Sequence, residues 1–236
     1  MNMKRMIRVS MPTLLACFTL VWMVSCLDND DTNPQPTPVA FVSIYNASPD
    51  APPLDIVVDG QQINAGPFDF AEYSGYQRFF TGARKFQFSP FDANNVVIDS
   101  TVTFEDQKVY SVFVVDEFEK TELLVLNDSS PAPAAGKAKI RFINLSPDGD
   151  EAAIREDGQA DNIIGGLLFK QASDFIEVDA KSYDFQITAG GSGDIILQVP
   201  DTNLQSGVYY TVVLKGYETP PGGNTHVLSA QVLVNN

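Results

Sequence analysis

The sequence predicts an all-β protein: two tandem immunoglobulin-like β-sandwich domains after an N-terminal lipoprotein signal peptide. Three observations point there. The stretch Asn46-Ala-Ser-Pro-Asp50 returns as Asn144-Leu-Ser-Pro-Asp148, and Asp59-Gly60 returns as Asp157-Gly158, both at an offset of 98 residues. Gly and Pro are frequent (16 and 15), aromatics are plentiful and no long stretch has helical period, a composition of short strands and turns. Finally, a basic N-terminus runs into a short apolar segment that ends at Cys26, and no cysteine follows it.

Taken in order, residues 1–25 read as the signal peptide. Lys4, Arg5 and Arg8 form its basic region and residues 11–24 its apolar region, which is short beside the roughly 20 apolar residues of a membrane span. Met23-Val-Ser-Cys26 resembles the bacterial lipobox, with Cys26 as the acylated first residue of the mature chain. Several acyl chains on one cysteine make a stable anchor, since each buried CH₂ adds about 0.8 kcal/mol. Residues 26–38 then form an acidic, Pro-rich tether with a reach of about 20 Å. Asp28, Asp30 and Asp31 resemble the acidic surface-export signal of Bacteroidota lipoproteins; a solvated linker explains them equally well.

The first β-domain spans 39–127. Val39–Tyr45 and Leu54–Val58 flank the first Ser-Pro-Asp turn, and Asp59-Gly60 is a hairpin signal. Asn and Asp bond their own backbone two residues on, and Pro presets φ, so the motif reads as a shaped turn between strands. An aromatic-rich middle follows (Phe68, Phe70, Tyr73, Tyr76, Phe79, Phe80), then strands at Lys85–Ser89, Val96–Phe104, Lys108–Val115 and Glu122–Leu126. Residues 128–136 form a linker of small residues and Pro. The second domain, 137–236, has strands at Ser182–Thr188, Asp194–Val199, Gly207–Tyr217 and His226–Val234. The repeat also orients the first strands. Ala40, Val42 and Ile44 align with Ala138, Ile140 and Phe142, whereas Phe41 and Ser43 align with Lys139 and Arg141. A charge rarely sits in a core unpaired, so the even-numbered set faces inward. By the same argument Ile56 and Ile154 belong to the two cores.

Phe142-Ile-Asn-Leu-Ser-Pro-Asp148, the Tyr-x-Phe-x-Ile strand at 183–187 and Tyr210-Thr-Val-Val213 are similar to the bacterial domain of unknown function 4397 family. In the first copy Tyr45-Asn-Ala-Ser-Pro-Asp-Ala-Pro52 and Tyr110-Ser-Val-Phe-Val-Val115 carry the resemblance, so that two copies cover nearly all of 38–236. It implies extracytoplasmic β-rich domains and no activity, since none is established for the family.

The formal charge is −15; without Lys4, Arg5 and Arg8 the mature chain has 12 basic and 30 acidic residues, a net of −18. Such a field repels nucleic acid. With no cysteine after Cys26, no disulfide framework, zinc cluster or thiol nucleophile is expected. His226, the only histidine, lacks a visible partner for base or metal chemistry and reads as an exposed residue at a strand edge. Asp148-Gly-Asp-Glu151 offers hard oxygen ligands for calcium but lacks the spacing of an EF-hand loop. Gly190-Gly-Ser-Gly193 precedes a strand and is a hairpin loop, not a phosphate loop. Neither catalytic, cofactor nor metal residues are assigned, and no cofactor is expected.

The expectation is therefore a non-enzymatic, exported outer-membrane lipoprotein, anchored by Cys26, that displays a binding or structural module to an unknown protein or glycan. Two alternatives stand beside it. A glycan-binding surface lipoprotein of a nutrient-uptake system would need an exposed row among Tyr73, Tyr76, Phe79 and Phe80. A fimbrial or adhesin-type subunit would need a strand-deficient groove.

Overall fold

The computed structural model describes residues 37–235. Cys26, the signal segment and most of the tether lie outside the described residues.

Among the described residues, sixteen strands form four antiparallel or mixed sheets of four strands each. In the first sandwich, β1 (Val39–Asn46), β4 (Gln77–Phe80), β7 (Val109–Val115) and β8 (Glu122–Asn127) make one sheet in the order β4-β1-β7-β8. The facing sheet is β3-β2-β5-β6, from β2 (Leu54–Val58), β3 (Gln61–Gln62), β5 (Gly82–Pro90) and β6 (Ile98–Phe104). The second sandwich repeats this strand for strand. Its sheet β12-β9-β15-β16 uses β9 (Lys137–Leu145), β12 (Ile176–Asp179), β15 (Tyr209–Lys215) and β16 (Ser229–Asn235). Its other sheet, β11-β10-β13-β14, uses β10 (Ala152–Glu156), β11 (Asn162–Leu167), β13 (Ser182–Ala189) and β14 (Ile195–Asn203). In both halves the first strand lies in the middle of its sheet and pairs in parallel with the seventh strand of its half, β1 with β7 and β9 with β15.

The inward faces are those read from the repeat. Ala40, Val42 and Ile44 sit in the first core with Ile56, Phe86, Phe88 and Phe104; Ala138, Ile140 and Phe142 sit in the second with Ile154, Phe185 and Val212. Burying each such side chain stabilises the fold by about 1.5–3 kcal/mol before entropy is counted. One tyrosine pins each half: Tyr110 Oη accepts from Glu105 N at 3.3 Å, and Tyr210 Oη accepts from Gln205 N at 2.9 Å. Asp59 (φ 50°) and Gly60 (φ 81°) make the tight left-handed turn expected of Asp-Gly, with Val58 opposite Gln61. In the second half, Asp157-Gly158 instead opens a longer loop that closes at Arg155 and Asn162.

The faces opposite those cores are not solvated, which corrects the simplest reading of the repeat. A third apolar cluster joins Tyr45, Ala47, Phe113 and Val115 of the first sandwich to Ile143, Leu145, Val213 and Leu233 of the second. The sheets β4-β1-β7-β8 and β12-β9-β15-β16 are therefore the two inner layers of a four-layer stack, each covered on both faces. This explains why β7 and β15 are buried along almost their whole length. Strands covered on both faces read as continuous apolar runs rather than alternations.

Candidate binding site at the seam between the sandwiches

The repeated turn is built the same way twice. Asn46 Oδ1 accepts from Ser48 N at 3.1 Å, and Asn144 Oδ1 accepts from Ser146 N at 3.1 Å, an Asx turn in each copy. The aspartate that follows holds a distant loop. Asp50 Oδ1 accepts from Phe118 N at 2.7 Å; Asp148 accepts from Glu218 N and Thr219 N, both at 2.8 Å. These carboxylates are struts between a turn and the connection that follows the parallel strand. The Asp148-Gly-Asp-Glu151 segment does not gather ligands: Asp148 serves the 218–219 backbone and Glu151 packs under Gly190. Among the described residues no group of three His, Cys, Asp or Glu is arranged to hold a metal ion.

The aromatic-rich segment does not form an exposed row. Phe68 and Phe79 belong to the first core, whereas Phe80 stands 63 % exposed at the edge of the inner sheet. Tyr73 and Tyr76 cross the seam: Tyr73 Oη donates to Val234 O at 3.3 Å, and Tyr76 Oη accepts from Asn235 Nδ2 at 2.7 Å. Among the described residues every sheet has its four strands hydrogen-bonded to their neighbours, the pairing that argues against a strand-deficient groove.

At one end of the seam sits a buried charge pair between Arg141, which the repeat placed on the outer face, and Asp128 of the linker. Arg141 and Asp128 side chains are only 3 % and 2 % exposed and meet at 2.5 Å. Arg141 Nε donates to Thr211 Oγ1 at 2.8 Å, and its guanidinium lies 4.7 Å from the centre of the Phe175 ring. Asp128 Oδ2 accepts from Tyr76 Oη and Ser111 Oγ, both at 2.5 Å. Burial, followed by the Asp128 charge, pushes the Tyr76 hydroxyl well above its ordinary pKa. Lys139, the other cation aligned with the outer face, is also buried; its ammonium bonds Ser130 Oγ and Pro131 O.

The opposite end carries a second set of ties. Lys170 bridges to Asp116 at 2.5 Å and Glu122 at 2.6 Å. Burial alone would raise the Asp116 carboxyl, but the bonds from Lys170 and from the Glu117 amide outweigh it and hold it below the ordinary range. His226 lies just before β16, its ring stacked 4.4 Å from that of Phe70 and its Nδ1 2.5 Å from Pro49 O. It is exposed, as expected, but it serves as a pin across the seam.

Segment 128–131 crosses the Arg141 end as a strap and leaves a cleft on each side. One, of about 480 Å³, is lined by Tyr76, Gln107, Val109, Asp128, Ser129, Ser130, Gly207, Tyr209 and Asn235. The other, of about 390 Å³, is bounded by β8, Arg141 and residues 172–175. Sequence reasoning missed the larger of these two clefts because its parts come from a linker, three strand ends and three loops. One signal was present, the consecutive apolar residues 112–115 in β7 and 212–214 in β15, which do not alternate.

Residues 40–155 match the family described as Domain of unknown function (DUF4397), a span that takes in the first sandwich, the linker and the first two strands of the second. No curated protein matches the chain. Among solved structures, the crystal structure of CBMbc (family CBM26) from Eubacterium rectale Amy13K in complex with maltoheptaose aligns at 12 % identity. Its TM-score is 0.25, over 82 % of this chain and 96 % of that one, a likeness too loose to bear on fold or ligand.

Proposed function

We propose that this chain is a non-enzymatic, lipid-anchored protein of the cell envelope that presents a rigid double β-sandwich as a binding or structural module. The observation that carries the reading is the seam. A shared apolar core, a buried ion pair and a second cluster of charges fuse the two sandwiches into one body. Of the polar groups that the sequence offered for chemistry, Asp148 supports a loop and His226 pins the seam. A body of this kind is suited to hold recognition loops and clefts in fixed positions. The anchor is Cys26, the spacer is the acidic tether, and the outer membrane is the location in this reading.

Mass spectrometry of the protein extracted from host membranes tests it. The expected N-terminal fragment starts at Cys26 and carries acyl mass, and Cys26→Ala releases the protein from the membrane fraction. An unmodified chain that stays membrane-bound, or one cut elsewhere, would remove the anchor and with it the display reading.

A further inference from the structure

The cleft of about 480 Å³ beside Ser129 has the size of a small-molecule site and unusually even chemistry. Its one formal charge, Asp128, is already neutralised: Arg141, Tyr76 and Ser111 occupy its oxygens. What faces a ligand is a set of neutral hydroxyls and amides. Ser129 Oγ accepts from Val109 N at 3.1 Å, so its own hydrogen stays available. Gln107, at the mouth, is exposed. Tyr209 Oη donates to the carbonyls of Ser130 and Pro131 at 3.0 and 2.9 Å, leaving its lone pairs as acceptors and adding an aromatic ring to the wall. The walls belong to different sandwiches, and the seam fixes their spacing, so a ligand would not have to order them on binding.

We propose that this cleft binds a short, neutral oligosaccharide. The Ser129 hydroxyl, the Gln107 amide and the Tyr209 oxygen next to aromatic rings suit a sugar, which presents both hydroxyls and apolar ring faces. An anionic ligand would find no free cation among the described residues that line the cleft: Lys139, behind the strap, is engaged by Ser130 and Pro131 and does not line it. The net charge of −15 also disfavours anions. This inference goes beyond the envelope reading and does not depend on it, because an unanchored protein would keep the cleft.

The test uses full-length protein in a detergent without a sugar headgroup. It is screened against arrayed neutral gluco-, galacto-, manno- and xylo-oligosaccharides, and against uronate and sulfated ones, then titrated by calorimetry. Ser129→Trp fills the mouth and should abolish binding. Gln107→Ala and Tyr209→Phe each remove one polar partner and should weaken it by about five-fold. If Ser129→Trp misfolds, those two milder variants carry the test, with melting temperature as the fold control. Four results would overturn the proposal: no neutral oligosaccharide bound by the wild type, binding of acidic glycans only, binding that persists in folded Ser129→Trp, or binding untouched by both Gln107→Ala and Tyr209→Phe. Binding that falls in Phe80→Ala and not in the cleft variants would place the glycan surface at the sheet edge and equally sink the assignment.

Discussion

At the scale of single residues, the two copies of one motif differ in a way that can be measured. Ser146 Oγ donates to Gly216 O at 2.7 Å inside the fold. Its counterpart Ser48 has a buried Oγ without a hydrogen-bond partner among the described residues. Gly216 explains part of the difference. Its φ is +82°, and a Cβ there would lie 2.4 Å from Val227 O, so the chain turns closely at that point and brings its carbonyl to Ser146. The corresponding turn of the first copy has Asp116 at φ 77°. Ser146→Ala should therefore cost about 1–2 kcal/mol, whereas Ser48→Ala should be neutral or slightly stabilising, since it removes a desolvated hydroxyl that nothing compensates. Urea unfolding of the two variants side by side checks this; equal losses would show that the two serines do the same work.

At the scale of elements, the longer strands were legible and the short ones were not. Val39–Tyr45, Leu54–Val58 and Glu122–Leu126 fall on β1, β2 and β8, because each combines β-forming residues with turn signals at its ends. The strands β4 and β12 are four residues each and lie on sheet edges, half exposed, so neither shows an alternation long enough to recognise. Strand β11 carries Gly165-Gly166 in its interior, which weakens its strand signal. The repeat gave the core face correctly but could not show that Arg141 is buried, because its partner Asp128 lies in a stretch that reads as a polar linker. That pair makes an element-scale prediction. Asp128→Ala leaves the guanidinium buried and unpaired, and should destabilise by about 3–5 kcal/mol. Replacing both partners, Asp128→Leu with Arg141→Met, should recover much of that loss, which a double-mutant cycle would read directly. The Lys170 cluster adds a pH dependence. The Asp116 carboxyl is held below its ordinary range, so its contribution is full above the unfolded carboxylate value of about 4 and is lost as pH falls through the lower folded value. Lys170→Met should lower the stability at neutral pH by no more than about 1 kcal/mol, because the pair is partly exposed, and match the wild type once the pH has fallen below the folded value of Asp116. A gap that stayed constant with pH would mean that packing, not charge, makes the contribution.

At the scale of the whole molecule, the seam makes the two sandwiches one thermodynamic unit. Each inner sheet is covered on one face by its own partner sheet and on the other by the neighbouring sandwich. Losing either sandwich would expose the Tyr45, Phe113, Ile143 and Val213 faces and strand the Arg141–Asp128 pair. Calorimetry should therefore show one transition, with calorimetric and van't Hoff enthalpies in agreement. Two resolved transitions would show that the sandwiches unfold independently. The position of β1 has a mechanical consequence. Chain entering at Thr37 passes at once into a strand hydrogen-bonded to β4 on one side and β7 on the other, with a sheet packed over each face. Tension transmitted along the leading segment would load two ladders and two packed surfaces together, whereas an edge strand could be peeled away one bond at a time. Drag on a body held by that segment would thus be taken up first by a central strand of the first sandwich.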